Sequence, residues 1–148
     1  MKRKNYSIHI GAPRPTVWNI LWGSDSYKAW TSVFSEGSHA ETDWKEGSKV
    51  LFLDGKGNGM ISRIARKQPD AFMSFEHLGV MKDGKEDTAT AEWAGATENY
   101  TLTDEDGGTR LSVEIDVEGE FESYFDKTFP AALEKVRDLS ESALHPAN

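Results

Sequence analysis

The stretch Arg110 to Glu118 alternates without a fault. Leu111, Val113, Ile115 and Val117 fall on one side, and Arg110, Ser112, Glu114, Asp116 and Glu118 fall on the other. A period of two belongs to an extended strand with one face on a core and the other in water. From Glu120 the period changes. Phe121, Phe125, Phe129, Ala132, Val136, Leu139 and Ala143 recur every three or four residues, one stripe along one helix. A half-apolar strand that runs straight into an amphipathic helix leaves few solutions. The sheet has one face to bury, the helix has one stripe to bury, and each is the nearest cover for the other. Pro130 lies inside the helical stretch, where it removes a backbone donor and crowds the preceding turn. A bend is expected near Phe129, rather than two helices.

Upstream, the pattern is mostly strand. Tyr6, Ile8 and Ile10 alternate with Ser7 and His9. Pro13 and Pro15 suit the first turn of a helix from about Pro13 to Trp22, with Val17, Trp18, Leu21 and Trp22 at helical spacing. Gly23 ends it, and Ser24 or Asp25 caps a second short helix carrying Tyr27 and Trp30. Gly37 to Asp43 is a weak strand, and Trp44 to Ser48 a turn. Val50 to Leu53, Met60 to Lys67 and Ala71 to Val80 are strands, with turns at Asp54 to Gly59, Pro69-Asp70 and Lys82 to Lys85. Glu98, Tyr100 and Leu102 share a strand face before the turn at Asp104 to Gly108. The expected order is strand, two short helices, about six strands in an antiparallel meander, and a long C-terminal helix: an α+β fold in one domain over residues 1–148.

Composition excludes several functions. There is no cysteine, so disulfides, thiol catalysis and cysteine-based zinc sites are ruled out. The net charge is −8 and the basic clusters are short, which argues against nucleic acid and against an anionic membrane surface. The basic opening, Met1 to Asn5, runs into an alternating strand without an apolar block, and no stretch approaches the roughly 20 apolar residues that span a bilayer. A cytoplasmic protein without a signal peptide is expected.

Certain residues together resemble a known family. They are Ile8-His9-Ile10-Gly11-Ala12-Pro13 with Val17-Trp18, then Trp44-x-x-Gly47-Ser48 and Gly57-x-Gly59-Met60-Ile61. Ser74-Phe75-Glu76-His77 follows, and then Glu98-x-Tyr100-x-Leu102 before Gly107-Gly108-Thr109-x-Leu111. In order and spacing, from about Tyr6 to Glu141, they resemble the START-like (SRPBCC) superfamily. The nearer likeness is to its bacterial branch related to the activator of the ninety-kilodalton heat-shock chaperone's ATPase. The resemblance implies a helix-grip fold, with the long helix held in a curved sheet. Proteins of this fold bind lipids, hormones and polyketides, act as cyclases, or assist a chaperone, so the fold leaves the function open.

Two polar residues fall on faces that read as inward. His77 shares a strand face with Met73 and Phe75, and Glu98 shares one with Tyr100. Two readings stand for each. Either they orient a ligand or move a proton in an apolar cleft, or His77 is a hydrogen-bonded core histidine and Glu98 pairs with a cation or lies at the sheet edge. The aromatics Trp30, Phe34, Phe52, Phe75, Trp93, Tyr100, Phe125 and Phe129 either fill the core or, with His77 and Glu98, line a cavity between helix and sheet. The loop Gly55-Lys56-Gly57-Asn58-Gly59 has the composition of a phosphate cradle, but a strand follows it where a phosphate loop leads into a helix, so a hairpin is expected. His9, His39, His77 and His145 are scattered, and no Gly-x-Ser-x-Gly motif is present. No metal, cofactor or hydrolase chemistry is expected. The first expectation is a binder of a small apolar or amphipathic, lipid-like or aromatic molecule. A chaperone-accessory or other protein-interaction module comes second, with a stress-response role implied by the resemblance, and a cyclase- or dehydratase-type enzyme third.

Overall fold

The structure, a computed structural model, describes residues 2–87 and 95–144. Chain order is β1 (Lys2–Ile10), α1 (Arg14–Trp22), α2 (Ser24–Thr31), β2 (His39–Glu41), β3 (Lys49–Leu53), β4 (Gly59–Gln68), β5 (Phe72–Lys82), β6 (Lys85–Asp87), β7 (Thr97–Glu105), β8 (Gly108–Val117) and α3 (Glu122–Leu144). A single 3-10 turn, Gly119–Phe121, joins β8 to α3. The strands form one antiparallel sheet in the order β1-β8-β7-β5-β4-β3-β2, with β6 beside β5. The meander therefore runs from β2 to β8, and β1 returns to pair with β8 along its whole length, Lys2 opposite Val117 and Ile10 opposite Thr109.

The α+β helix-grip architecture is as the sequence implies. The differences are local. β6 is an additional strand: β5 runs on to Lys82 and β6 starts at Lys85, so the expected turn narrows to Asp83-Gly84, both at positive φ. The turn between β7 and β8 narrows in the same way to Asp106-Gly107. β1 begins at Lys2 rather than Tyr6, because pairing with β8 makes strand of a segment with no apolar alternation of its own. The cap of α2 is Gly23, not Ser24 or Asp25; its carbonyl accepts the Tyr27 N–H at 2.8 Å, which places Ser24 already inside the helix. The loop between β3 and β4 is a hairpin turn whose Asp54 carboxylate accepts the N–H groups of Lys56 and Asn58.

α3 continues through Pro130 as one element. Its buried side chains are Thr128, Phe129, Ala132, Leu133, Val136 and Ser140. Each large apolar one contributes roughly 1.5–3 kcal/mol by leaving water. The ends of the expected stripe differ: Phe121 lies in the 3-10 turn and is 48% exposed, and Ala143 is exposed. β1 anchors the helix. Tyr6 stacks on Phe129 with ring centres 5.0 Å apart, and its hydroxyl donates to Asp126 at 2.7 Å. Lys4 pairs with Glu122 at 3.3 Å and with Asp126 at 3.2 Å. At the far end of α3, Glu141 accepts the Gly11 N–H at 2.8 Å.

Candidate functional site

The middle of the sheet carries the site. β4, β5, β7 and β8 lie side by side, and residues directly opposite one another across strands share a face. Phe75 stands opposite Glu98, and Glu98 opposite Ile115; two rungs along, on the same face, Met73 stands opposite Tyr100 and Tyr100 opposite Val113. His77 comes two residues after Phe75 on β5, so alternation aims it the same way. Its N–H donates to the Ala96 carbonyl at 2.9 Å, which carries the pairing of β5 with the approach to β7 past the last ladder rung.

On the other side of β5 the register shifts between Ile61 and Ser62. Ile61 pairs with Gly79 but Ser62 pairs with His77, leaving Leu78 as an extra residue. A bulge of this kind re-aims side chains. Here it sets Ser62 against the imidazole, with Oγ 2.6 Å from Nδ1 and both residues buried.

The other ring nitrogen, Nε2, stands 3.3 Å from Glu98 Oε1. One ring nitrogen thus lies against a hydroxyl and the other against a carboxylate oxygen. The Tyr100 hydroxyl donates to the second Glu98 oxygen. The result is one chain of polar contacts, Ser62 to His77 to Glu98 to Tyr100, across three neighbouring strands. Burial, with the Glu98 charge second, pushes the Tyr100 phenol well above the ordinary tyrosine range. Tyr27 is raised by the same two causes, burial again the larger.

His77, Glu98, Tyr100 and Tyr27 open onto a cleft of about 530 Å³ between the sheet and the three helices. Trp30, Phe34, Phe52, Phe75, His77, Glu98, Tyr100, Phe125 and Phe129 all line it, which is where the structure places nine of the ten residues singled out from the sequence. Trp93 lies outside the described residues. Several of the nine also pack in the core. Phe129 is 2% exposed and Trp30 1%, and Trp30 fixes its indole by donating Nε1–H to the Leu21 carbonyl at 3.0 Å. His77 is thus both a hydrogen-bonded buried histidine and a cleft residue. Glu98 is not at the sheet edge, since β7 lies between β5 and β8, and its partners are an imidazole and a phenol.

Sequence reasoning passed over Trp22, Tyr27, Ser62 and the exposed pair Phe121 and Tyr124. Trp22 and Tyr27 sit at helical spacing that reads as ordinary core, and Trp22 does pack T-shaped on Tyr100, with ring centres 5.1 Å apart. Ser62 shares the inward parity of Met60 and Ile64, a signal available in the sequence, but its partner depends on the bulge. Phe121 and Tyr124 mark the solvent end of the cleft, where the Tyr124 hydroxyl donates to the Phe34 carbonyl at 2.7 Å and bridges α3 to the segment after α2.

Gly59, also in the lining, is required by close approach. A Cβ there would stand 1.7 Å from the Phe52 carbonyl oxygen. Among the described residues no group of three or more acidic or histidine side chains is placed to hold a metal ion.

A curved antiparallel sheet holding a C-terminal helix over a lined cleft defines a START-like, SRPBCC helix-grip protein. Within that class the chain belongs to the family described as activator of Hsp90 ATPase homolog 1-like protein, whose model matches residues 11–139. Solved structures agree on the fold. The Aha1 dimer from Colwellia psychrerythraea, solved in solution, matches with a TM-score of 0.73 and 18% identity over 93% of this chain and 95% of that one. Protein MLL2253 from Mesorhizobium loti matches at 0.75 with 14% identity, over 95% and 97%. DynU16, a protein in the dynemicin biosynthetic locus, matches at 0.69 with 14% identity over 97% of this chain and 48% of its own. Identities this low speak for the fold alone. Among curated proteins none matches the sequence significantly.

Proposed function

We propose that this chain binds one small apolar or aromatic molecule in the cleft, with the His77–Glu98–Tyr100 chain as its polar anchor. The observation that carries this reading is a polar chain set into a mostly apolar, ring-rich wall of a space of about 530 Å³. Small-molecule sites typically measure roughly 300–1,000 Å³ and combine apolar walls with a few placed polar groups. Trp30, Phe34, Phe52, Phe75, Phe125 and Phe129 are the proposed apolar contacts. The absence of cysteine suits a reducing compartment, and a cytoplasmic location is part of the proposal. No described helix is long and apolar enough to cross a membrane.

The test is a two-dimensional NMR titration with flavonoids, fatty acids, small aromatic acids and aromatic amines. Saturable shifts centred on Phe75, His77, Tyr100 and Phe125 are expected. Silence across every class sinks the reading and moves the weight to a protein-interaction role, the chaperone accessory that the family description suggests.

A second reading has one observation in its favour. His77 and Glu98 line the same space 3.3 Å apart, the geometry needed for acid–base chemistry on a bound molecule of the cyclase or dehydratase kind. It predicts turnover of a bound ligand that His77→Ala and Glu98→Gln both abolish; turnover unaffected by either change removes it.

A further inference from the structure

We propose that the cleft selects ligands carrying a protonated amine and refuses carboxylates, fatty acids included. This rests on the small-molecule reading above and names the ligand chemistry of that same site.

Charge in the lining is one-sided. Asp54, Glu98, Asp116 and Glu118 contribute to it, and no described Lys or Arg does. Two of these carboxylates are already committed. Asp54 is held by the backbone N–H groups of Lys56 and Asn58, and Asp116 by Arg3 and Thr97. Glu98 is different, for its side chain is 18% exposed and its partners are the His77 imidazole and the Tyr100 phenol. A carboxylate has about four lone-pair sites, so two contacts leave it room to accept more.

The donors nearby are mostly turned away from a guest. Tyr100 O–H points at Glu98. Both His77 nitrogens are engaged, one by Ser62 and one by Glu98. Trp30 N–H is spent on Leu21, and Thr31 O–H on the Tyr27 carbonyl at 2.6 Å. The Trp22 N–H is buried without a hydrogen-bond partner among the described residues, with rings packed T-shaped around its indole. An incoming carboxylate thus meets a like charge and no described lysine or arginine. An incoming ammonium meets an acceptor with spare capacity.

Tyr27, Trp30, Phe52, Phe75 and Tyr100 share the lining with Glu98. Aromatic faces attract a cation through their quadrupole and attract an anion least of all. A carboxylate among aromatic rings is the recognition chemistry of an amine.

The experiment compares three ligands with one apolar body: 2-naphthylmethylamine, 2-naphthalenemethanol and 2-naphthoate, each titrated at pH 7 by calorimetry and NMR. The amine is expected to bind about tenfold tighter than the alcohol, the difference that one charge-assisted contact makes, with the carboxylate weakest of the three. Glu98→Gln is expected to bring the amine to within about twofold of the alcohol, on the same reasoning. The ranking on the unchanged chain needs no variant, so a poorly folding Glu98→Gln does not remove the test. Equal affinities, or the carboxylate binding tightest, overturn the amine inference and leave the binding reading standing. Silence of all three against saturable shifts from another compound in the wider panel also overturns it. Silence of every compound overturns the binding reading, and the inference with it.

Discussion

Ser62 stands directly opposite His77 across β4 and β5, and does so because the register passes over Leu78. Had the Ile61–Gly79 rung been followed without a shift, Ser62 would have met Leu78, and His77 would have been set against Arg63, on the outer parity of β4. One extra residue is what turns a histidine in a strand into a buried histidine with a hydroxyl on one nitrogen and a carboxylate on the other. Ser62→Ala removes the hydroxyl and leaves Nδ1 buried without it. The expected cost is about 1–3 kcal/mol, the price of an unmet buried polar group, read by urea unfolding. Imidazole nitrogen NMR shifts are expected to show a changed tautomer balance at His77; an unchanged spectrum means the serine does not hold the ring.

Tyrosine titration checks the buried phenols. Tyr6, Tyr27 and Tyr100 are all raised above the ordinary value of 10.0, each chiefly by burial, with Asp126 adding to the first and Glu98 to the other two. A raised folded value means that stability is fully present below the unfolded value and is lost as pH climbs above it. Stability should therefore hold to about pH 10 and decline beyond. Absorbance at alkaline pH in the folded protein should fall short of that in denaturant, and ordinary titration of all the tyrosines before unfolding would contradict the packing around Tyr100.

Acid stability has the opposite sign. Asp116 is lowered from 3.8, first by its hydrogen bond from Arg3, Asp126 first by that from Tyr6, and Glu122 is lowered from 4.5, first by Lys2. Lowered carboxyls stabilise the fold above their unfolded values, and that contribution disappears as pH falls through the folded ones. Tm should be level from neutral pH down to about 5 and drop below about 4, where these groups begin to protonate. Arg3→Gln should flatten the part of the drop that belongs to Asp116, measured as Tm against pH for the two proteins. A parallel drop in both would assign it elsewhere.

Phe75 is the ring around which the cleft wall turns. It is 1% exposed, and its ring centre lies 5.1 Å from that of Phe52 and 5.4 Å from that of Trp22. Phe75→Ala is expected to cost about 3–5 kcal/mol, read by denaturant unfolding. Phe75→Leu, which keeps most of the volume, should cost far less.

Periodicity carried much of the fold. The alternation at Leu111 to Val117 and the stripe from Phe125 to Val136 are long enough to be read without a partner in view, and the structure has both as β8 and the buried side of α3. Segments whose form depends on a neighbour were harder. Lys2 to Asn5 has no apolar rhythm, and β8 makes it a strand; Lys85 to Asp87 is polar, and β5 makes it one. In the site, parity alone aimed His77, Glu98 and Tyr100 inward. Parity could not say that Leu78 is skipped, so Ser62 went unseen. Nor could it say that Asp54, Asp116 and Glu118, in or beside turns and on outward rungs, reach the same space as Glu98.

The pairing of β1 with β8 also sets a timetable. Tyr6 and Asp126 are 120 positions apart, and the stacking of Tyr6 on Phe129 needs the same wait. Contacts between such distant segments form slowly because the loop must close before they repay it. On a ribosome, β1 has no edge to join until β8 has been made. Until β8 is made, Tyr6, Ile8 and Ile10 are thus an unpaired, half-apolar segment, the kind of nascent chain that draws a chaperone's attention.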